Sequence, residues 1–307
     1  MSNPFTIRGT IQNPAEFIGR EEEIAHILSR IRTEQSCSVV GERRIGKSSL
    51  LYHLYQTGQQ RLQDARFRFV YIELTAANAQ TQVDFLQTVL KHLDLPTERI
   101  QEGNRPHRNL VAFDELLQEQ SQRDDCCAVL CLDEFEALFA NATEFNDLFF
   151  NHLRSMVNGR RVVLVTASRE ALEVYSVQEK LTSPFFNLLS VVELGDFSEQ
   201  AIEAFLRHYQ PQVQFTQQEL EFIDRYAEPM PLKLQIFCDV LWQWRQHPDW
   251  DNDRALEKIT KIYAQFLGHG HKLTKAKQTA VGLFSSEKLG HWLANLKAGR
   301  DLFLGSE

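Results

Sequence analysis

The chain has 307 residues, 43% of them hydrophobic, and its 33 basic and 41 acidic side chains give a formal charge of −8. That length predicts two domains, each with a core of its own, and the acidic balance argues against a surface built throughout to neutralise phosphates. Five cysteines, an odd number with Cys126 and Cys127 adjacent, read as reduced thiols rather than as a secreted disulfide framework.

Met1 to Pro14 is polar, without the apolar centre of a signal peptide, and no run approaches the roughly 18 apolar residues of a membrane span. A soluble, cytoplasmic protein is expected. From Ile24, the residues Ile24, Ile27, Leu28 and Ile31 form a helical stripe, with Glu21, Glu22 and Glu23 in the first turn where the helix dipole favours anions. This predicts a helix over about 20–32. Five short apolar runs follow: Cys37 to Val40, Phe67 to Leu74, Ala128 to Leu132, Val162 to Ala167 and Ser190 to Leu194. Their crossover-length spacing predicts a mostly parallel five-stranded sheet with helices on both faces. Among those helices, Leu50, Leu51 and Leu54 mark one that Gly58 is expected to stop. Phe85, Val89, Leu90 and Leu93 mark a second before Pro96, and Phe145, Leu148, Phe149 and Leu153 mark another. The polar segment Arg99 to Arg108 reads as a loop leading into a helix over Leu110 to Leu117.

Beyond Leu194 the pattern is helical only. Asp196 with Glu199, and Thr216 with Glu219, have capping-box spacing, and Phe215 with Leu220 has that of a hydrophobic staple. Pro231 is placed to open a helix whose apolar face is Leu234, Phe237, Val240 and Leu241. A further helix is expected over Leu256 to Phe266. The domain reading is an N-terminal arm (1–16), an α/β domain (17–195), a helical lid (196–269) and a basic C-terminal segment (270–307). In that last segment the window from His271 to Arg300 carries +5 while the remainder of the chain carries −13.

The strongest chemical signal is Gly41-Glu42-Arg43-Arg44-Ile45-Gly46-Lys47-Ser48, which follows a predicted strand and precedes a predicted helix. G-x-x-x-x-G-K-[ST] in that order is a phosphate-binding loop: the glycines let backbone N–H groups point inward, and the helix N-terminus adds partial positive charge. Lys47 is expected to bridge β- and γ-phosphate oxygens, and the Ser48 hydroxyl to hold Mg²⁺. Ala128 to Leu132 ends in Asp133-Glu134, which supplies a second metal-orienting carboxylate in Asp133 and a general base in Glu134. The loop follows the first strand and the acid pair follows the third, an arrangement similar to ATPases with a catalytic glutamate. No N-K-x-D motif of GTPases is present, so ATP is the expected nucleotide. The fourth strand ends in Thr166-Ala167-Ser168-Arg169. There Thr166 or Ser168 would orient water and Arg169 would sense the γ-phosphate, or Arg169 is a surface residue.

Phe17-Ile18-Gly19-Arg20-Glu21-Glu22-Glu23 resembles the F-x-G-R-E-x-E box of the STAND and related AAA+-like ATPases, and Arg43-Arg44 before Gly46 is similar to their R-R-x-G-K. The resemblance covers about residues 15–240 and implies an ASCE-type P-loop fold with a helical lid. It also implies ATP/ADP and Mg²⁺ as cofactors, with Phe17, Ile18, Gly19 and Arg20 at the base and ribose. With Gly41, Arg44, Ile45, Gly46, Lys47, Ser48 and Ser49 these make up the expected nucleotide site. Pro231 matches the proline of the family's lid Gly-x-Pro motif, but Pro229 stands where the glycine belongs.

The implied function is a nucleotide-dependent switch of the STAND type that assembles into oligomers. The alternative is a DNA-associated AAA+-like ATPase of the replication-initiator or transposition-helper kind, gripping DNA through the basic window. A nucleotide-binding scaffold with negligible turnover is the third reading. Residues 270–307 are few for the winged helix with which the family continues. Arg154 reads either as an arginine finger acting on a neighbour or as a helix-surface residue. Cys126, Cys127 and Cys131 read as structural thiols, and His269-Gly270-His271 as a loop.

Overall fold

A computed structural model of the chain describes residues 3–5, 7, 9–180, 182–246 and 251–267. Two compact units are present, one made of Thr10–Gly195 and the other combining Met1–Gly9 with the chain from Asp196. Of the polar N-terminal segment, residues 3–5, 7 and 9 group with the helical unit.

The first unit alternates strands and helices: α1 (Glu21–Arg32), β1 (Ser36–Gly41), α2 (Lys47–Leu62), β2 (Phe67–Glu73), α3 (Gln82–His92) and α4 (Pro106–Asp124). It continues through β3 (Cys127–Asp133), α5 (Glu136–Ala140), α6 (Asp147–Asn158), β4 (Val162–Ser168), α7 (Leu172–Gln178) and β5 (Leu189–Leu194). All five strands are parallel, in the order β2-β3-β4-β1-β5. Burial follows that order. Every residue of the inner strands β3 and β4 is buried, while the edge strands β2 and β5 mix buried with partly exposed positions. Strands covered on both faces must be apolar throughout, and this is why β3 and β4 read as unbroken hydrophobic runs.

One face of the sheet carries Val70, Ile72, Leu130, Leu132, Val162 and Leu164 into a core shared with α3, α4 and α6. That core is rich in aromatic rings, with Phe85, Phe145 and Phe149 edge-to-face at 4.9 to 6.4 Å. Such pairs add about 0.5–1.5 kcal/mol each beyond their area. On the other face, α1 buries Ile24, Ile27 and Ile31 and α2 buries Leu50, Leu51 and Leu54.

Two expectations about helices fail here. Gly58 does not stop α2, which runs on to Leu62 and ends at Gln63 in the left-handed conformation (φ 54°). Gly58 is instead an interior contact: a Cβ there would lie 2.4 Å from the Phe69 ring on β2. In α6, Phe145 precedes the helix and Leu148 is 44% exposed, while Phe150 takes the buried position.

The second unit contains α8 (Glu199–Val213), α9 (Gln217–Tyr226), α10 (Pro231–Trp244) and α11 (Asn252–Leu267). Asp196 does not cap α8. Ser198 does, its side chain accepting the Ala201 N–H, because a helix that starts at Glu199 places Asp196 two residues too early. At α9 the Thr216–Glu219 capping box is complete, with Phe215 and Leu220 both buried beside it. Arg245 at the end of α10 donates to Glu219 Oε1 at 2.7 Å and to the Gln214 carbonyl at 3.1 Å, joining three helix ends. Pro231 opens α10, whose Leu234, Phe237, Val240 and Leu241 are buried. Phe5 from the N-terminal segment packs against Phe205, Tyr209 and Phe215 at 4.8 to 6.4 Å. Among the described residues no helix is long and apolar enough to cross a membrane.

Candidate functional site

The loop between β1 and α2 is shaped by two glycines with different jobs. At Gly41 a Cβ would meet the Leu194 carbonyl oxygen at 2.7 Å, so only glycine lets β1 end beside β5. Gly46 caps α2 with φ +106°, a conformation that side chains disfavour, and open space surrounds it. Arg44 also has a positive φ of 68°, and Ile45 is buried. No side chain caps the start of α2, and its first turn holds no acid. Uncapped N–H groups at a helix N-terminus make an anion site.

Lys47 is buried, and its Nζ donates to the carbonyls of Gly41 (2.8 Å) and Glu42 (3.0 Å). Burial lowers its pKa, and the carboxylates of Glu134, Glu136 and Asp133 pull it back up. The ammonium is thus held over its own loop, facing three acids.

Asp133 ends β3 and is buried. Its Oδ1 accepts the Glu134 N–H at 3.0 Å and its Oδ2 accepts the Tyr71 hydroxyl at 3.0 Å. Burial raises its pKa, while hydrogen bonds from Ser48, Tyr71 and the Glu134 backbone act in the opposite direction. Ser48 and Asp133, from β1's loop and from β3, therefore meet. Glu134 follows at φ 52°, and the Phe135 N–H donates to the Ala167 carbonyl at 2.8 Å, turning the chain onto the end of β4. Glu136, in the first turn of α5, lies beside Glu134. Burial raises its pKa and the neighbouring Glu134 raises it further. Arg169 Nε stands 3.4 Å from Glu136 Oε1. On β4, Thr166 is fully buried with its hydroxyl unpartnered, whereas the Ser168 hydroxyl donates to the Glu170 carbonyl at 2.7 Å.

Lys47, Ser48, Asp133, Glu134 and Arg169 are thus brought to one end of the sheet. The segment before α1 is arranged differently. Phe17 is buried and stacked on His53 of α2 at 4.8 Å, Ile18 is half-buried, and Gly19 has φ +84°. Arg20 is 4% exposed. Its guanidinium donates to Glu23 Oε1 (2.8 Å) and to the carbonyls of Ile45 (3.2 Å) and Gly195 (2.6 Å), so it ties this segment to the loop and to the end of β5. Ser49 accepts the Ile11 N–H at 3.0 Å. Pro231 belongs to the helical unit, where Pro229 accepts the Phe197 N–H at 3.0 Å. Arg154 is half-buried on α6 with its Nε unpartnered.

All five cysteines are free and buried, and burial pushes the Cys37 and Cys127 thiols up to about 12. Among the described residues no group of three or more His, Cys, Asp or Glu is placed to hold a metal. The hydroxyl of Ser48 with the carboxylate of Asp133 nevertheless suits Mg²⁺, which takes oxygen ligands and is bound through one or two carboxylates plus substrate phosphates. His269, Gly270, His271 and the basic window lie outside the described residues.

Sequence patterns missed Glu136 and Tyr71. Glu136 could have been suspected from the string Asp133-Glu134-Phe135-Glu136. Tyr71 carries no signal in the sequence, because only the β2–β3 register brings it to Asp133.

A parallel sheet in which β4 separates the loop strand β1 from the acid strand β3, followed by a helical unit, is the ASCE-type P-loop NTPase fold. Within it, residues 30–174 match the protein family described as AAA domain. No curated protein sequence matches the chain significantly. Among solved structures it is similar to the Walker-type ATPase PABY2304 of Pyrococcus abyssi, with 15% identity and a TM-score of 0.61 over 95% of this chain and 92% of that one. It is also similar to the Aeropyrum pernix ORC2 protein in ADPNP–ADP complexes, with 12% identity and a TM-score of 0.60 over 95% and 88%. A third is the Aeropyrum pernix ORC1 protein in complex with DNA, with 11% identity and a TM-score of 0.53 over 92% and 84%.

Proposed function

We propose that this protein is an ATP-hydrolysing AAA-type ATPase that works on DNA, in the manner of replication initiators. The observation that carries the ATPase reading is the meeting of Lys47, Ser48, Asp133 and Glu134 at the C-terminal ends of β1 and β3. On this reading the open N-terminus of α2 and Gly46 cradle the phosphates, and Lys47 leaves its carbonyls to bridge the β- and γ-phosphate oxygens. Ser48 and Asp133 would hold Mg²⁺, which when bound would neutralise phosphate charge. Glu134 accepts a proton from the attacking water, and Thr166, paired with Leu132 in the sheet, carries an unpaired hydroxyl. Arg169, paired with Glu136, answers to the γ-phosphate. Phe17, Ile18 and Gly19 border the base, with Arg20 as their anchor.

The DNA half of the proposal draws on the likeness to chains described as ORC2 and as ORC1 in complex with DNA, and on the +5 window from His271 to Arg300. The STAND-type switch is the second reading, favoured by the Phe17 to Glu23 box. Oligomers accompany either. Fluorescence anisotropy of a labelled duplex, titrated with the full chain with and without ATP, separates them. The DNA reading expects binding at about 50 mM salt that weakens steeply as salt rises, from counterion release. Absence of binding at that salt, with or without ATP, leaves the switch reading.

A further inference from the structure

Asp133 is useful to a metal only while its carboxylate keeps one orientation, and one of the groups that fixes it comes from the sheet edge. Glu134 N–H and the Tyr71 hydroxyl each donate at 3.0 Å, to Oδ1 and Oδ2 respectively. Tyr71 sits on β2 opposite Cys131, two residues short of the Glu73–Asp133 pair. Two residues of strand span roughly 6.6 Å, a distance that a phenol leaning along the strand covers and a serine or threonine does not. The ring is braced from α2: Tyr52 meets it edge-on at 5.3 Å and 86°, and Tyr55 stands at 6.3 Å. Tyr52 lies five residues after Lys47 on the helix that the phosphate loop opens. A phenol is a donor at neutral pH, so it orients the carboxylate without adding a charge that competes for the cation.

We propose that Tyr71 is a positioning residue for the metal-holding carboxylate of Asp133, seated by Tyr52 of the phosphate-loop helix. This rests on the nucleotide reading above. Groups behind a metal ligand typically change metal affinity by about tenfold or more when removed, which is the effect expected here.

The test uses the full chain with ADP, so that no turnover intervenes, and counts free Mn²⁺ by electron paramagnetic resonance. Tyr71→Phe is expected to weaken Mn²⁺ binding about tenfold while ADP affinity in EDTA stays within about twofold of wild type. Tyr55→Phe, at the exposed rim, serves as the matched control. Tyr52→Leu, which keeps the Tyr71 hydroxyl but removes its brace, should weaken Mn²⁺ by less, and it answers the question if Tyr71→Phe fails to fold. Unchanged Mn²⁺ affinity in Tyr71→Phe, or an equal loss of ADP affinity in EDTA, would overturn the assignment by making Tyr71 a packing residue. A wild-type chain that binds no ADP under either condition would instead overturn the nucleotide reading itself.

Discussion

Arg20 offers the sharpest separation between a ligand contact and a structural clamp. Arg20 is 4% exposed, and its guanidinium donates to two carbonyls, Ile45 and Gly195, and to a carboxylate, Glu23. Arg20→Ala removes these three bonds. A hydrogen bond from a charged donor contributes about 1.5 kcal/mol net at the lower end of its range, so the two carbonyl bonds contribute about 3 kcal/mol. The partly exposed Glu23 pair adds little, about 0.5 kcal/mol. For the unit Thr10–Gly195 that sum, about 3.5 kcal/mol, predicts a fall in melting temperature of about 7–14 °C. Thermal unfolding of nucleotide-free protein, followed by circular dichroism, measures that fall, and urea unfolding measures the loss of stability. Arg20→Lys should recover less than half of the loss, because an ammonium cannot reproduce the guanidinium fork. The clamp is refuted if Arg20→Ala leaves nucleotide-free stability within about 0.5 kcal/mol of wild type, the range of an ordinary surface substitution.

Three further predictions concern the same unit. Gly58→Ala should gain about 1 kcal/mol from helix propensity and lose about 1–3 kcal/mol by driving a methyl into the Phe69 ring. A net loss is therefore expected in denaturant titrations, and adding Phe69→Leu should turn it into a gain. His53 is kept neutral chiefly by burial, with Arg61 adding to the effect and Glu21 opposing it. Its lowered pKa makes its contribution complete above pH 6.5 and lost as pH falls below that. In His53→Leu the fall in melting temperature from pH 7 to pH 5 should accordingly shrink, and an unchanged fall would remove His53 from the account. Asp133, with a pKa raised by burial, has the opposite sign: its contribution is present at acid pH and lost as pH rises through its folded value. Metal-free Asp133→Asn should therefore melt higher than wild type at pH 7, with the advantage fading on acidification, whereas a lower melting temperature at pH 7 would contradict the burial cost.

What could be read from sequence follows the range of each signal. The inner strands announced themselves because a strand covered on both faces must be apolar throughout, and Gly41 to Ser48 because phosphate binding dictates residue types in one short string. Helix ends were less legible. Gly58 has the look of a stop, yet its missing side chain answers to a ring eleven residues away on β2. Asp196 and Glu199 matched a capping box, while Ser198, also a good cap, took the position. Arg20 sits in a string that points toward a base, but its partners Ile45 and Gly195 are 25 and 175 residues distant. Tyr71 was invisible for the same reason, since its role exists only through strand register.

The central claim is that Glu134 acts on water at a site where Lys47 and Asp133 hold ATP·Mg²⁺. Phosphate release and ATP binding measured side by side for wild type and Glu134→Gln test it most directly. The account predicts that Glu134→Gln binds ATP as wild type does while phosphate release falls by about 10²–10⁴-fold, the usual contribution of a general base. Equal turnover in the two proteins, or a wild type that binds no ATP, would contradict it.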